Sequence, residues 1–381
     1  MRVAQIIDTL QWGGAQRMQM FLVETLVPLG IDVTVIDLGC CPNPVVPAAL
    51  TAMGARVVSF PFDQLLSPGS LLHLIEFLCA EKFDLIHTYL TYANIVGSLA
   101  GALCGTPVIT SIRNADFAYR GYNWKRKMLE RIAIGLFSRR TMANGVVVGQ
   151  FARQYLGSKP IIDVIPNAIG PLSALAEDER QRLRSALLGD PRRTMILSVG
   201  RLTPAKGFFD LFEAFAQVHP LYPDSTLVIA GGGDLQEDLL AYVRALGLEQ
   251  YILLLGSRDD ARQLMGAADI YVNSSHWEGT PVSVLEAMAM GLPIIATRVG
   301  ESPYLLAESA GLLVAPHQPC ELAEALTVLL ASSTERKKFA RAGLERVTHY
   351  YSREAWRDSL LRLYAKEVHI LNGNSPVLWP G

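Results

Sequence analysis

The chain has 381 residues, half of them hydrophobic, with 34 Lys or Arg against 36 Asp or Glu and a net charge of -2. That length predicts two domains, the apolar content excludes intrinsic disorder, and the balanced charge argues against a globally basic nucleic-acid binder. The five cysteines, Cys40, Cys41, Cys79, Cys104 and Cys320, form no CxxC pair and no Cys/His metal spacing; they read as reduced packing residues of a cytosolic protein, and no metal site is expected.

Residues 3–7 open the chain as a short strand, too soon interrupted for a signal peptide. Apolar runs at 32–38, 56–60, 85–88, 108–112 and 145–148 continue as strands, with helical patterns between them. No residue of 90–112 is charged, but Gly105-Thr106-Pro107 breaks the run. A helix over 93–104 followed by a buried strand therefore explains it better than a membrane span. Pro166-Asn167-Ala168-Ile169-Gly170-Pro171 and the acidic Glu177-Asp178-Glu179 mark a boundary, which places a linker at 166–190. Strands follow at 195–199, 226–230, 252–255, 270–273, 294–297 and 311–314, helices at 208–218 and 353–368, and a frayed tail over 372–381. Strands alternating with helices predict two doubly wound parallel sheets, with ligands at the carboxyl ends of the strands, between the domains.

Three segments carry candidate chemistry. Trp12-Gly13-Gly14-Ala15-Gln16 follows the first strand, and paired glycines let the backbone approach a phosphate or sugar, or serve only the turn. In the second half, Gly200-Arg201-Leu202-Thr203-Pro204-Ala205-Lys206-Gly207 puts two cations after a strand, suited to a diphosphate but equally to a solvated loop. Ser274-Ser275-His276-Trp277-Glu278-Gly279-Thr280-Pro281 then leads into a helix, with Thr280 expected as its cap and Pro281 at its first position. Free N–H groups around Gly279 to Ser283 form an anion site at the helix dipole. Glu278 and Glu286 flank it, as acceptors for ligand hydroxyls or as solvated charges.

Together with Gly231-Gly232-Gly233-Asp234 and Ala268-Asp269-Ile270-Tyr271-Val272-Asn273, these motifs resemble the GT4 family of retaining, GT-B-fold glycosyltransferases over nearly the whole chain. The resemblance implies an α/β GT-B fold: two Rossmann-like domains facing each other across a cleft, 1–165 for acceptor, 191–352 for nucleotide sugar, and a helix in 353–381 that crosses back. It implies that Arg201 and Lys206 bind the donor diphosphate, Glu278 lies by the donor sugar and Glu286 holds the ribose, with Gly13, Gly14, Gly279, Thr280 and Pro281 lining the donor site and Arg258 near the base. Glu278, Arg201 and Lys206 would be the catalytic set. No cofactor is expected beyond the nucleotide sugar as co-substrate. A nucleotide-sugar epimerase and a silent nucleotide-sugar-binding assembly protein are the alternatives.

The first domain departs from the family. Tyr89 follows His87 where a second histidine is usual, Arg113 stands where many relatives carry His, and Ile165-Pro166-Asn167-Ala168 lacks the usual glycine. Gln16, His87, Arg113 and Asn114 are the acceptor-side candidates; Arg113 and Asn114 suit an acceptor or a phosphate, and His87 and Tyr89 read at least as well as structural residues. Residues 111–160 hold ten Arg or Lys against Asp116 and Glu130, interleaved with Tyr122, Trp124, Leu129, Ile132 and Phe137. That pattern suits an anionic membrane surface through 120–140, or a solvated helical face. The expected partners are a nucleotide sugar, a lipid-linked saccharide and the cytoplasmic membrane face, without nucleic acid.

Overall fold

The structure is a computed structural model; it describes residues 1–11, 14–39, 44–62, 67–113, 124–170, 172 and 174–372. Two compact units form. One holds Met1–Asn167 with the C-terminal helix Arg353–Asn372, the other Ala168–Ser352.

Seven strands build the first unit: β1 (Arg2–Ile7), β2 (Asp32–Asp37), β3 (Arg56–Ser59), β4 (Leu85–Tyr89), β5 (Val108–Ile112), β6 (Arg140–Ala143) and β7 (Ile161–Val164). They form one parallel sheet in the order β3-β2-β1-β4-β5-β6-β7. The order reverses between β1 and β4, the switch point where loops from neighbouring strands diverge and leave a crevice. Two sequence expectations fail at the far end. Residues 145–148 are not a strand but the start of the helix Val146–Leu156, while β6 lies just before them and β7 was not foreseen. Three consecutive valines favour a strand locally. The helix wins because Val148, Ala152 and Leu156 recur every four residues and bury one face against the sheet.

Six strands build the second unit: β8 (Thr194–Val199), β9 (Ser225–Ala230), β10 (Ile252–Leu254), β11 (Ile270–Asn273), β12 (Ile294–Thr297) and β13 (Leu312–Val314). Their parallel order is β10-β9-β8-β11-β12-β13, with the switch point between β8 and β11. Central strands are apolar on both faces, as burial between two helix layers requires. The expected linker 166–190 is instead largely part of this unit. Its helix Glu177–Leu188 is anchored by Arg184, which is buried, ion-paired with Asp269 at 2.9 Å and bonded to the Ala267 and Pro191 carbonyls. An acidic, turn-flanked stretch looks like a linker until that one arginine finds its partners.

The C-terminal helix completes the first unit. Trp356, Leu360, Leu363 and Tyr364 are buried on it, each worth roughly 1.5–3 kcal/mol of apolar transfer. Trp356 meets Phe21 edge-on at 5.2 Å, and Arg353 pairs with Glu24 at 3.0 Å. Glu367 pairs with Arg140 at 2.9 Å; burial pushes its carboxyl up, and the guanidinium opposes that. At the centre, Gln5 of β1 and His87 of β4 share a register, so their side chains leave the sheet on one face. The Tyr364 hydroxyl meets both, at 2.9 Å from the Gln5 amide and 2.7 Å from His87 Nδ1. Tyr364→Phe keeps the ring and deletes that hydroxyl, leaving two buried polar groups short of a partner. It should cost about 1–3 kcal/mol, read as a shift in the denaturant midpoint of the full chain.

Candidate functional site

The second unit's switch point gathers the candidate donor residues. The loop after β8 carries Arg201 and Lys206, and the loop after β11 carries Ser274 to Thr280. Two hydrogen bonds lock the two together: the His276 N–H donates to the Ala205 carbonyl at 2.8 Å, and Ser274 Oγ donates to the Lys206 carbonyl at 2.9 Å. Gly207 sits between them with φ +60°, and a Cβ there would lie 2.2 Å from the Ser274 carbonyl oxygen. Only glycine fits.

This clasp places charges. The Lys206 ammonium donates to Glu278 Oε1, which also accepts from Ser275 Oγ at 2.8 Å. Arg201 stands exposed on the same loop. Glu278 and Gly279 are themselves held: the Gly279 carbonyl accepts from the Glu301 N–H at 3.0 Å, and Gly300, at φ +51°, leaves both carbonyls room.

Beyond the loop, the helix Val282–Ala289 starts one residue later than expected. Pro281 is its N-cap, in an extended conformation, and no side chain caps it, so the anticipated cap at Thr280 is corrected. Proline's fixed φ suits the entry, and the first N–H groups of the helix still carry the positive end of its dipole. Glu286 is 4% exposed, not solvated; Arg262 holds its Oε1 with two donors at 3.1 Å. Beneath lies Tyr271, whose buried phenol is pushed up first by desolvation, with Glu278 and Glu286 both adding to the rise. Both carboxylates thus act on one point. Arg258, expected near the base, forks onto Asp260 at 2.8 and 2.5 Å.

Arg262 and Ser275 were not singled out in the sequence. Arg262 lies 24 residues before its partner on another helix, with no local spacing to reveal it. Ser275 carried a signal, three residues before Glu278 in a loop.

The first unit treats its candidates differently. Gly13 and Asn114 lie outside the described residues, as do Cys40, Cys41 and Tyr122; Gly14 opens the helix Gly14–Leu26. Gln16 is 5% exposed and donates to the Thr9 carbonyl at 2.6 Å. His87, expected to meet the acceptor, has no exposed surface, and each ring nitrogen has a hydroxyl partner, Tyr364 on one side and Ser111 at 2.8 Å on the other. It is an internal strut. Arg113 is nearly buried too, 5.2 Å over the Tyr89 ring and bonded to Asn167 Oδ1 at 2.5 Å, which accounts for the asparagine before Ala168. At the β1 end, Asp8 accepts from the N–H groups of Tyr92 and Ala93, capping the helix Thr91–Cys104 from a distance.

Two family models match adjacent parts of the chain: "Glycosyltransferase Family 4" over residues 12–171 and "Glycosyl transferases group 1" over 179–346. Among curated relatives, an Escherichia coli UDP-Gal:alpha-D-GlcNAc-diphosphoundecaprenol alpha-1,3-galactosyltransferase is 29% identical over 62% of this chain and 63% of its own. A Rhizobium meliloti lipopolysaccharide core biosynthesis glycosyltransferase, LpsE, is 30% identical over 56% and 60%. The chain thus spans less than two thirds of the length of these two. A Mycobacterium leprae phosphatidyl-myo-inositol mannosyltransferase is 27% identical over 89% of both chains. In fold, the chain matches Anabaena Alr3699/HepE in complex with UDP, with a TM-score of 0.86, 20% identity and coverage of 96% and 100%.

Burial sets a pH dependence in the first unit. Desolvation, with the Arg113 charge adding, pulls His87 from 6.5 down to about 3. Between those values the unfolded chain binds a proton that the folded one refuses, so stability falls as pH drops from about 6.5 toward 3. Asp8 runs the other way: desolvation raises it from 3.8 to about 7, and its contribution is lost as pH rises through that window. His87→Gln should therefore remove a loss of at most about 1.4 kcal/mol per pH unit. Denaturant midpoints at pH 5 and pH 7 for parent and variant measure it, the variant showing the smaller acid-side drop.

Proposed function

This chain belongs to the GT4-type glycosyltransferases, and we propose from that premise that it transfers a sugar, with retention, from a nucleotide diphosphate sugar to a hydroxyl of a lipid-linked saccharide. The observation that carries the reading is the cluster of Lys206, Glu278 and buried Glu286 at the β8/β11 switch point. An ammonium has three donors and gives one to Glu278; the others suit phosphate oxygens, joined by exposed Arg201 and by N–H groups opening the helix Val282–Ala289. These groups are in place before the glycosidic bond breaks. They stabilise charge as it develops on the departing diphosphate, the largest single contribution in such chemistry. Glu286 accepts from the ribose hydroxyls, and Glu278 lies beside the sugar. On this reading the diphosphate is neutralised by side chains and needs no Mg2+ or Mn2+.

The acceptor reading rests on the first unit's surface. Trp124, Met128, Ile132 and Leu136 lie four residues apart on the helix Trp124–Phe137 and are 65, 48, 46 and 62% exposed. Exposed Lys125, Arg126, Arg131 and Arg139 flank this stripe. No helix among the described residues is long and apolar enough to cross a membrane. A basic helix with an apolar stripe docks in the plane of an anionic bilayer, where each cation adds on the order of 1 kcal/mol. There it meets a lipid-linked acceptor, the kind of molecule named for the Escherichia coli relative.

Purified protein with a panel of nucleotide sugars, with and without lipid extract, tests the activity. Acceptor-dependent release of nucleoside diphosphate is the expected result; conversion without acceptor would indicate an epimerase, and binding without turnover a silent protein. Lys206→Ala should lower donor binding or turnover by roughly 10- to 150-fold, the loss of one charge-assisted bond of about 1.5–3 kcal/mol. Activity should survive EDTA, with no restoration by Mg2+ or Mn2+ required.

Vesicle co-sedimentation tests the membrane surface. The parent should bind anionic but not neutral vesicles and release at 1 M salt, where the Debye length falls to about 3 Å. Replacing Lys125, Arg126, Lys127 and Arg131 with Gln should abolish binding; equal partitioning of both proteins would identify the face as merely solvated.

A further inference from the structure

A second cluster on the second unit has no part in holding a diphosphate. Asp210 lies in the first turn of the helix Phe208–Val218, His276 in the loop after β11, and His317 in the loop after β13. One ligand atom from each lies within 4.8 Å of the other two. Asp210 Oδ2 is 2.8 Å from His276 Nε2, and the two imidazole rings lie 3.7 Å apart between centroids.

The arrangement is held from several sides. The His276 backbone N–H is bonded to Ala205, and its ring rests against Gly207, where a Cβ would come within 2.9 Å of Cδ2 and Nε2. His317 adopts φ +58°, a left-handed conformation uncommon outside glycine. Two imidazoles and a carboxylate from three separate elements converge on one point. Both rings can present a nitrogen lone pair, and the carboxylate brings the negative charge that a dication requires.

We propose that Asp210, His276 and His317 bind a nitrogen-preferring divalent transition metal of the Zn2+ class. Zinc bonds of about 2.0–2.2 Å in tetrahedral geometry set ligand atoms roughly 3.3 Å apart. The Asp210–His276 spacing of 2.8 Å lies below that value and the other two spacings are within 4.8 Å, so small side-chain movements suffice. Three protein ligands leave the fourth position to water. Mg2+ demands oxygen ligands and is refused by two imidazoles. The bound ion ties the helix Phe208–Val218 and the loop after β13 to the segment that reaches Glu278 two residues later. This site stands apart from the sugar-transfer reading and would exist in a silent protein as well.

Calorimetry on the full chain, stripped with EDTA and dialysed, tests it with Zn2+ and Mg2+ as separate titrants. One Zn2+ per chain should bind, with Mg2+ weaker by about 100-fold or more. His317→Gly suits the left-handed backbone, so its thermal midpoint in EDTA should be no lower than the parent's, while Zn2+ affinity falls about tenfold or more. Asp210→Asn, of equal size, should lower the affinity as well. With Co2+ as probe, the parent should show visible d–d absorption that both variants lack. Absence of saturable Zn2+ binding, or parental affinity in both variants, would overturn the proposal.

Discussion

Gly207 and the Ser274 carbonyl approach so closely that no other side chain could stand between them, and the second unit's chemistry hangs on that approach. Parallel pairing of β8 with β11 brings their following loops side by side. Pairing alone would leave the loops free to diverge. Gly207 supplies both the left-handed turn and the missing volume, so the two loops share a backbone bond and a serine-to-backbone bond and behave as one surface. Lys206 precedes that glycine, and Glu278 follows Ser274 by four residues.

The ion pair between them is a result of this clasp more than its cause. Both side chains are only partly withdrawn from water, at 21 and 14% exposure. Such pairs gain little net stability, because desolvation offsets most of the Coulomb attraction. One backbone hydrogen bond, one from the Ser274 hydroxyl and the glycine fit do the holding. The pair instead fixes where one positive and one negative charge stand. Glu286 follows another logic: it is buried, and the Arg262 guanidinium gives its charge a hydrogen-bonded partner.

Much of this was legible in the sequence because it is local. Strands at the centre of each sheet announce themselves as apolar runs, and the helix Phe208–Val218 shows its periodicity within eleven residues. The Gly-Arg-x4-Lys-Gly and Glu-x7-Glu spacings likewise keep their information in short windows. What failed was non-local. Valines 146–148 look like strand until the helix's buried face is known. Residues 177–188 look like linker until Arg184 meets Asp269, 85 residues away. His87 reads equally as an acceptor contact or a structural residue until Tyr364, 277 positions away, is seen to bond it. A polar residue in a short motif shows its type but not its burial, and burial decides whether it serves a ligand or the fold.

The hydrogen bond from Gln5 to Tyr364 joins residues 359 positions apart, which carries a consequence for biosynthesis. Strand β1 leaves the ribosome before the second unit, and the helix Arg353–Asn372 that shields its neighbours leaves after that unit. At roughly 5–20 residues per second, the 185 residues of Ala168–Ser352 alone take about 10–40 s to be made. During that interval Gln5 and His87 lack the Tyr364 hydroxyl that partners them in the finished fold. The first unit thus stays incomplete until the helix Arg353–Asn372 has been made. Truncation before Arg353 would therefore damage the unit whose strands are translated ahead of Ala168–Ser352.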